Sequence, residues 1–309
     1  MRSRKPPRSG FKKRSSLWTL TRLGVWKKAA IKSENKFPIS LIDLIGKNMT
    51  SEIDVKMLED GRIAVVQINR PHRRNACNFE AWTDLRDIFV GFASNKKIRL
   101  VILSGAGGHF CAGDDITAFR AVLDDKEKAD TYRARIQECY ASIQNLGVPV
   151  IAAISGVCVG GGCSLALCCD FRVADSSARI GVPVAKLGLV YPTIQLIRLS
   201  HLIGIGKTRR WLYTGELVDC KSAFEAGFLD EMCEHDVMNA ALAFGSSMID
   251  GAPLSISGSK LQLNAISTNC VDDYTDEIEK IIDRSNNSQD YKNAAAAFAE
   301  KRQPQFIGE

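Results

Sequence analysis

Gly105-Ala106-Gly107-Gly108-His109-Phe110-Cys111-Ala112-Gly113-Asp114-Asp115 decides the reading of this chain, together with Gly160-Gly161-Gly162-Cys163-Ser164 about 45 residues further on. Each cluster follows an apolar, strand-like run: Val101-Ile102-Leu103 before the first and Val150-Ile151-Ala152-Ala153-Ile154 before the second. Glycine lets a chain turn tightly after a strand and expose backbone N–H groups where a helix begins. Two such turns facing one pocket would make an oxyanion hole, a pair of fixed donors aimed at an oxygen that gains negative charge. One glycine-rich turn of this kind also serves plain packing in many α/β proteins, so the pairing and its flanks carry the reading.

Around these turns the pattern is α/β. Alternation in Val55-Lys56-Met57-Leu58-Glu59 and in Ile63-Ala64-Val65-Val66-Gln67-Ile68, separated by Asp60-Gly61, predicts a β-hairpin. Phe79, Trp82, Leu85, Ile88 and Phe89 fall on one stripe of a helix that begins near Asn78. Residues 99–103, 149–154 and 171–174 read as strands, 125–146 and 161–169 as helices, and nearly everything after Pro192 as helical. Trp82 and Trp211 are expected to fill cores.

The 309 residues, 45% of them hydrophobic, can bury one large or two small cores. The net charge of +6 is unevenly spread: residues 1–48 carry 13 Lys/Arg against Glu34 and Asp43, which leaves 28 Lys/Arg against 33 Asp/Glu in the rest. The body is therefore mildly acidic, and no basic and aromatic interleaving continues into it, which argues against nucleic-acid binding. Residues 1–48 are expected to be a basic, disordered extension. Three readings of them stay open: a transit peptide, a basic arm, or an upstream extension without function. No apolar run is long enough and free enough of charge to span a membrane. Ten cysteines lack paired metal-ligand spacing, so no metal site is expected, and reduced buried thiols point to a reducing compartment. The expected location is cytoplasmic, or mitochondrial if residues 1–48 are a transit peptide.

Read in order, Asn69-Arg70-Pro71-His72-Arg73-Arg74-Asn75-Ala76, the first glycine segment, Pro149 to Gly156 running into the triple glycine, and Cys169-Asp170 resemble the crotonase (enoyl-CoA hydratase/isomerase) superfamily. Leu212-Tyr213-Thr214-Gly215, Ala226-Gly227-Phe228-Leu229-Asp230 and Phe298-Ala299-Glu300-Lys301-Arg302 extend the resemblance from about Val55 to the C-terminus. It implies a crotonase-like spiral of ββα units over residues 49–245, a C-terminal helical trimerisation region over 246–309, and a homotrimer or hexamer. It also implies an acyl-CoA thioester as substrate, with coenzyme A entering as part of it and no other cofactor.

By the same resemblance, the oxyanion donors are the N–H groups of Ala112 and Gly161. Ser164, and Val184 in Gly181-Val182-Pro183-Val184, stand where the family's hydratases carry their two acid/base Glu residues. A positioned acid or base is worth roughly 10²- to 10⁴-fold, so hydration by the usual route is not expected. Asp114, after the oxyanion-loop Ala-Gly, and Tyr191, which resembles a Tyr of the methylmalonyl-CoA decarboxylase branch, are the candidates for moving protons. Neighbouring Asp115 is the better helix cap, and His109 reads as a loop-structuring residue. Arg74 and Ala76 match the first CoA-contacting loop, with Gly113, Asp115 and Ser164 lining the site beside the residues already named. Phe298 and Lys301 match a pair that reaches the nucleotide, often from a neighbouring subunit. The expected activity is enolate chemistry, as an isomerase, decarboxylase or atypical hydratase or lyase. The alternative is a CoA-thioester binding protein whose catalysis has decayed.

Overall fold

The hairpin opens the fold. In the computed structural model, which describes residues 52–309, β1 (Ile53–Leu58) pairs antiparallel with β2 (Ile63–Ile68) across a 3-10 turn at Glu59–Gly61. The basic extension, residues 1–48, lies outside the described residues.

Helix α1 (Phe79–Phe92) follows, begun by the Asn78 side chain, which accepts from Ala81 N at 2.8 Å. An Asn side chain satisfies one of the donors a helix start leaves unpaired. The stripe Trp82, Leu85, Ile88 and Phe89 is buried, as its spacing predicts. Strand β3 (Leu100–Gly105) leads into the first glycine segment, then come the short α2 (Ile116–Arg120) and the long α3 (Lys126–Gln144).

From there the chain alternates between two sheets. It runs through β4 (Val150–Ile154), β5 (Val157–Val159) and α4 (Gly161–Cys168), then β6 (Phe171–Asp175), β7 (Arg179–Gly181), α5 (Val184–Leu187) and α6 (Thr193–Thr214). Strand β8 (Val218–Asp219), α7 (Cys220–Ala226) and β9 (Glu231–Cys233) complete the sheets. The six-stranded sheet has the order β1-β2-β3-β4-β6-β9, parallel from β2 onward, and the three-stranded sheet the order β5-β7-β8. The two middle repeats, β4-β5-α4 and β6-β7-α5-α6, each give one strand to the large sheet, then one to the small sheet, then helix.

The large sheet is covered on both faces. Along β3, Val101 and Leu103 join the main core with α1, α3 and α4, while Leu100 and Ile102 point to the other face, where Ala241 and Ile249 of α8 (Val237–Ile249) cover them. This period of two is how a strand serves two layers at once. The expected boundary at 245/246 falls inside α8, which is continuous because one of its faces is needed on the sheet. Beyond it, α9 (Pro253–Ser267), α10 (Thr275–Asn286) and α11 (Gln289–Glu300) make the helical C-terminal region. The final residues fold back on α11, where the buried Asp290 accepts from Ile307 N and Gly308 N, each at 2.8 Å.

The near-absence of strands expected after Pro192 is corrected by β8 and β9. Strands of two and three residues are too short to show alternation. All ten cysteines are free thiols and eight are buried, in line with the reduced state read from their spacing. No helix among the described residues is long and apolar enough to cross a membrane, and no group of three metal-ligating side chains occurs among them.

Candidate active site

The two glycine turns meet. Segment 111–115 is threaded between the Arg70–Cys77 loop and β5: Cys111 N donates to Val157 O (2.9 Å), Val159 N to Cys111 O (3.0 Å), Cys77 N to Gly113 O (2.8 Å) and Asp115 N to Cys77 O (2.8 Å). These bonds bring the segment against the start of α4. A Cβ on Gly113, whose φ is +95°, would stand 2.7 Å from Gly161 N, and one on Gly162 would overlap the Cys111 carbonyl. Only glycine permits this approach.

Five consecutive amides settle which one is available. Cys111 N and Asp115 N are committed as above, Ala112 N donates to Arg74 O at 3.0 Å, and Gly113 N points to Cys111 Sγ at 3.3 Å. Asp114 N alone has no acceptor beyond its own carboxylate. The expectation for Ala112 is therefore corrected: its N–H holds the Arg70–Cys77 loop. Gly113, in the left-handed region, turns the segment between Ala112 and Asp114, so a shift along the chain changes which amide is presented to the pocket. On the other turn Gly161 N, in the first turn of α4, donates to nothing among the hydrogen bonds of the described residues, as first-turn amides do. It lies where the helix dipole adds to its pull on an anion.

Around these amides sits a buried polar cluster. Ser164, one turn into α4, and Tyr191, in the segment before α6, are both buried, and their hydroxyls are 2.8 Å apart. Tyr140, on α3, donates its hydroxyl to Gly161 O at 3.3 Å, and the Trp82 ring meets Tyr140 edge-on with centroids 5.6 Å apart. The Asp114 carboxylate enters this group, its Oδ2 lying 3.2 Å from where a Gly161 Cβ would stand. Burial pushes the Asp114 carboxyl up to about 6, against the pull of the Trp82 indole N–H and its own amide. Burial also pushes the Tyr140 and Tyr191 hydroxyls well above their usual value. Val184 starts α5 half-buried against the core and has no proton to exchange.

The site's framework hangs on Arg70 and Asn75. The buried Arg70 guanidinium pairs with Glu52 (2.8 Å) and Asp115 (3.2 Å) and also donates to the Ala76 carbonyl. Asn75, fully buried in the left-handed region, accepts from Arg70 N (2.9 Å) and donates to Ala106 O (2.8 Å) and His109 O (2.6 Å). Asp115 accepts from Thr117 N and Ala118 N, so it caps α2 as expected. With Arg70 as well, its buried carboxylate is occupied by the protein itself. His109 structures the loop, its Nδ1 accepting from Val157 N at 3.3 Å.

Of the expected substrate-contacting residues, Gly113, Asp114, Gly161 and Ser164 converge with Tyr191. Arg74 sits on the loop beside them with its side chain exposed, and Ala76 is buried. Phe298 and Lys301 stand apart, Phe298 88% exposed near the end of α11 and Lys301 its left-handed C-cap. Reasoning from motifs missed Arg70, Asn75, Trp82 and Tyr140 as parts of this site. The first two were within the quoted segment, where an Arg and an Asn amid turn residues were the available signal.

Residues 59–309 match the enoyl-CoA hydratase/isomerase family. The chain is 31% identical over 251 residues to the crotonyl-CoA hydratase of Syntrophomonas wolfei, covering 81% of this chain and 96% of that one. It is 30% identical over 267 residues to the mitochondrial methylglutaconyl-CoA hydratase of Mus musculus, with 84% of each covered. An enoyl-CoA hydratase/isomerase family structure from Hyphomonas neptunium superposes with a TM-score of 0.78 at 31% identity over 84% of this chain and 99% of that one. The enoyl-CoA hydratase of Bacillus anthracis gives 0.76 at 27% identity over 84% and 100%. With its paired glycine turns, its alternation between two sheets and these relatives, the chain belongs to the enoyl-CoA hydratase/isomerase family of the crotonase superfamily.

Proposed function

We propose that the chain forms and stabilises the enolate of an acyl-CoA thioester between the N–H groups of Asp114 and Gly161. The observation that carries this reading is that these two amides face each other across the junction of the turns and donate to no other residue of the protein, Asp114 N having only its own carboxylate. Such donors cost nothing to reorganise when charge develops on the carbonyl oxygen, and each is worth about 3 to 4 kcal/mol of barrier.

The Asp114 carboxylate is the base. It takes a proton from the carbon next to the thioester, the C–H electron pair moves into the enolate, and negative charge passes to the carbonyl oxygen. The pocket's total charge is unchanged by this step, so its low polarity does not oppose it. A carboxyl pushed up to about 6 suits a base near neutral pH. Return of the proton to a different carbon is an isomerisation; loss of carbon dioxide from a carboxylated acyl group reaches the same enolate. Ser164 and Tyr191 form the second proton-handling pair, in place of the Glu residues of hydratases. Hydration is the slower activity of this site, since water has no carboxylate at either of those positions to activate it.

Coenzyme A is held by Arg74 and the Arg70–Cys77 loop. Phe298 and Lys301 reach the nucleotide of a neighbouring protomer in a trimer or hexamer, which accounts for an exposed Phe ring. The reaction uses coenzyme A as part of the substrate and no further cofactor. A decayed, binding-only protein is the second reading, favoured by Ser164 and Val184 standing where Glu would be. Deuterium uptake next to the thioester of crotonyl-CoA, 3-enoyl-CoA and methylmalonyl-CoA tests both: uptake on any of them supports the enolate, and saturable binding without uptake supports the second reading.

A further inference from the structure

Two buried polar atoms beside the oxyanion turns have no hydrogen-bond partner: Trp82 Nε1 and Asp114 Oδ1. An indole N–H can only donate and an ionised carboxylate can only accept. Leaving either unpaired in a dry interior is unfavourable, and leaving both so at one place is more so. We infer that the indole N–H of Trp82 is the donor that holds the Asp114 carboxylate when it is ionised, which makes Trp82 a positioning residue for the base of this site.

The fold keeps the two together. Trp82 lies in the first turn of α1, which starts directly after Cys77, and Cys77 is bonded on both sides to the Asp114 segment through Gly113 O and Asp115 N. The Trp82 ring is fully buried and fixed edge-on against Tyr140, whose hydroxyl is tied to Gly161 O. Little freedom is left to the indole beside the Asp114 carboxylate. The indole N–H is also the largest influence that favours the charged carboxylate against its burial.

The other titratable groups around Asp114 do not take this role. Cys77, from the segment before α1, is held neutral by its contact with the Cys111 thiol and by burial, and Tyr132 and Tyr140, from α3, by burial and the neighbouring Asp114 charge. Asp115 is engaged by Arg70 and the α2 start, Tyr191 by Ser164, and the Glu80 side chain acts on Tyr132 from the exposed side of α1. Tyr132 spends its hydroxyl on Cys77 O at 3.3 Å. A protonated Asp114 needs no such donor, so the contact forms and loosens as the proton leaves and returns.

The inference rests on Asp114 being the base, and its test is read without substrate so that the two stand or fall separately. In the full chain, the proton–nitrogen cross-peak of the Trp82 indole and the carbon-labelled Asp114 carboxyl are followed through a pH titration, assigned by their loss in Trp82→Phe and Asp114→Asn. The expected result is one shared midpoint near 6, with no indole titration in Asp114→Asn. In Trp82→Phe the Asp114 midpoint moves up by about one unit, the size of one charge-assisted hydrogen bond. An indole signal that stays still while Asp114 titrates overturns the inference, as does an unmoved midpoint in folded Trp82→Phe. If Trp82→Phe does not fold, the comparison of the natural chain with Asp114→Asn decides alone. Absence of deuterium uptake on every thioester would remove the proposed function and leave this pairing in place.

Discussion

The hydroxyls of Ser164 and Tyr191 lie 2.8 Å apart in the protein interior, one a turn into α4 and the other just before α6. Ser164 also reaches back to Gly160 O at 3.3 Å. The pair therefore closes a short chain of hydroxyls that ends at the glycine turn. Tyr191→Phe keeps the ring and removes one link, and its expected effect is a fall in deuterium exchange of at least tenfold with a stability loss of about 1 kcal/mol. Exchange kinetics beside a urea melt check both parts, and unchanged exchange would remove Tyr191 from the proton path.

On the proposed mechanism, Asp114 is expected to set the pH dependence of the reaction. Its carboxyl is raised to about 6, and only the ionised form is a base, so kcat/KM for exchange is expected to rise through pH about 6 and level off above it. Asp114→Asn is expected to lose that rise together with most of the activity. A flat profile in the natural chain would argue against the assignment.

The same group costs stability. Because its folded-state value lies above the unfolded value near 3.8, the native state holds the proton more tightly, so Asp114's contribution is complete below about 4 and is lost as pH rises through about 6. A shift of about two units corresponds to about 3 kcal/mol at most. Asp114→Asn is expected to be more stable than the natural chain at pH 8 and no more stable at pH 4, as read by denaturant melts at both values.

Gly113→Ala puts a methyl into the gap between the two turns, at a backbone angle of +95° that alanine resists. The methyl would press on Gly161 N, 2.7 Å away, at the place proposed for the thioester oxygen. Loss of exchange by a factor of about 10² or more is expected, since one displaced oxyanion donor costs that much. Circular dichroism should show a folded chain, which separates a blocked site from a lost fold.

Arg70→Ala removes a buried cation from between Glu52 and Asp115 and leaves both carboxylates facing a gap. Breaking a buried pair from one side typically costs about 3 to 5 kcal/mol. The melting temperature is expected to drop accordingly, with loss of activity following from the collapse of the Arg70–Cys77 loop. Arg70→Lys should recover only part, because an ammonium cannot match the fork of the guanidinium.

The long elements were legible because their patterns run for several turns or several alternations: the hairpin, α1, β3, α3 and β4 stand where periodicity puts them. Strands β5, β7, β8 and β9 were not, since two or three residues carry no period and are held by neighbours distant along the chain. The convergence of the two glycine turns was implied by the family resemblance, since the form of either turn alone also suits plain packing. Which amide faces the gap was not legible, because it depends on the partners of each N–H, and those come from Arg74, Cys77 and Val157. Trp82 was correctly placed in the core by its spacing. Its second role needs the position of Asp114, which only the folded chain provides.

Strand β3 lies between β2 and β4 with a layer of side chains on each of its faces, and the first glycine turn grows directly out of its last residue. Its amides should be among the slowest to exchange with solvent, opening only when the whole domain unfolds. The first glycine turn is thus anchored to a strand expected to open only with the whole domain: heat should destroy its shape together with the fold, with no earlier stage in which a native-looking chain has already lost it there.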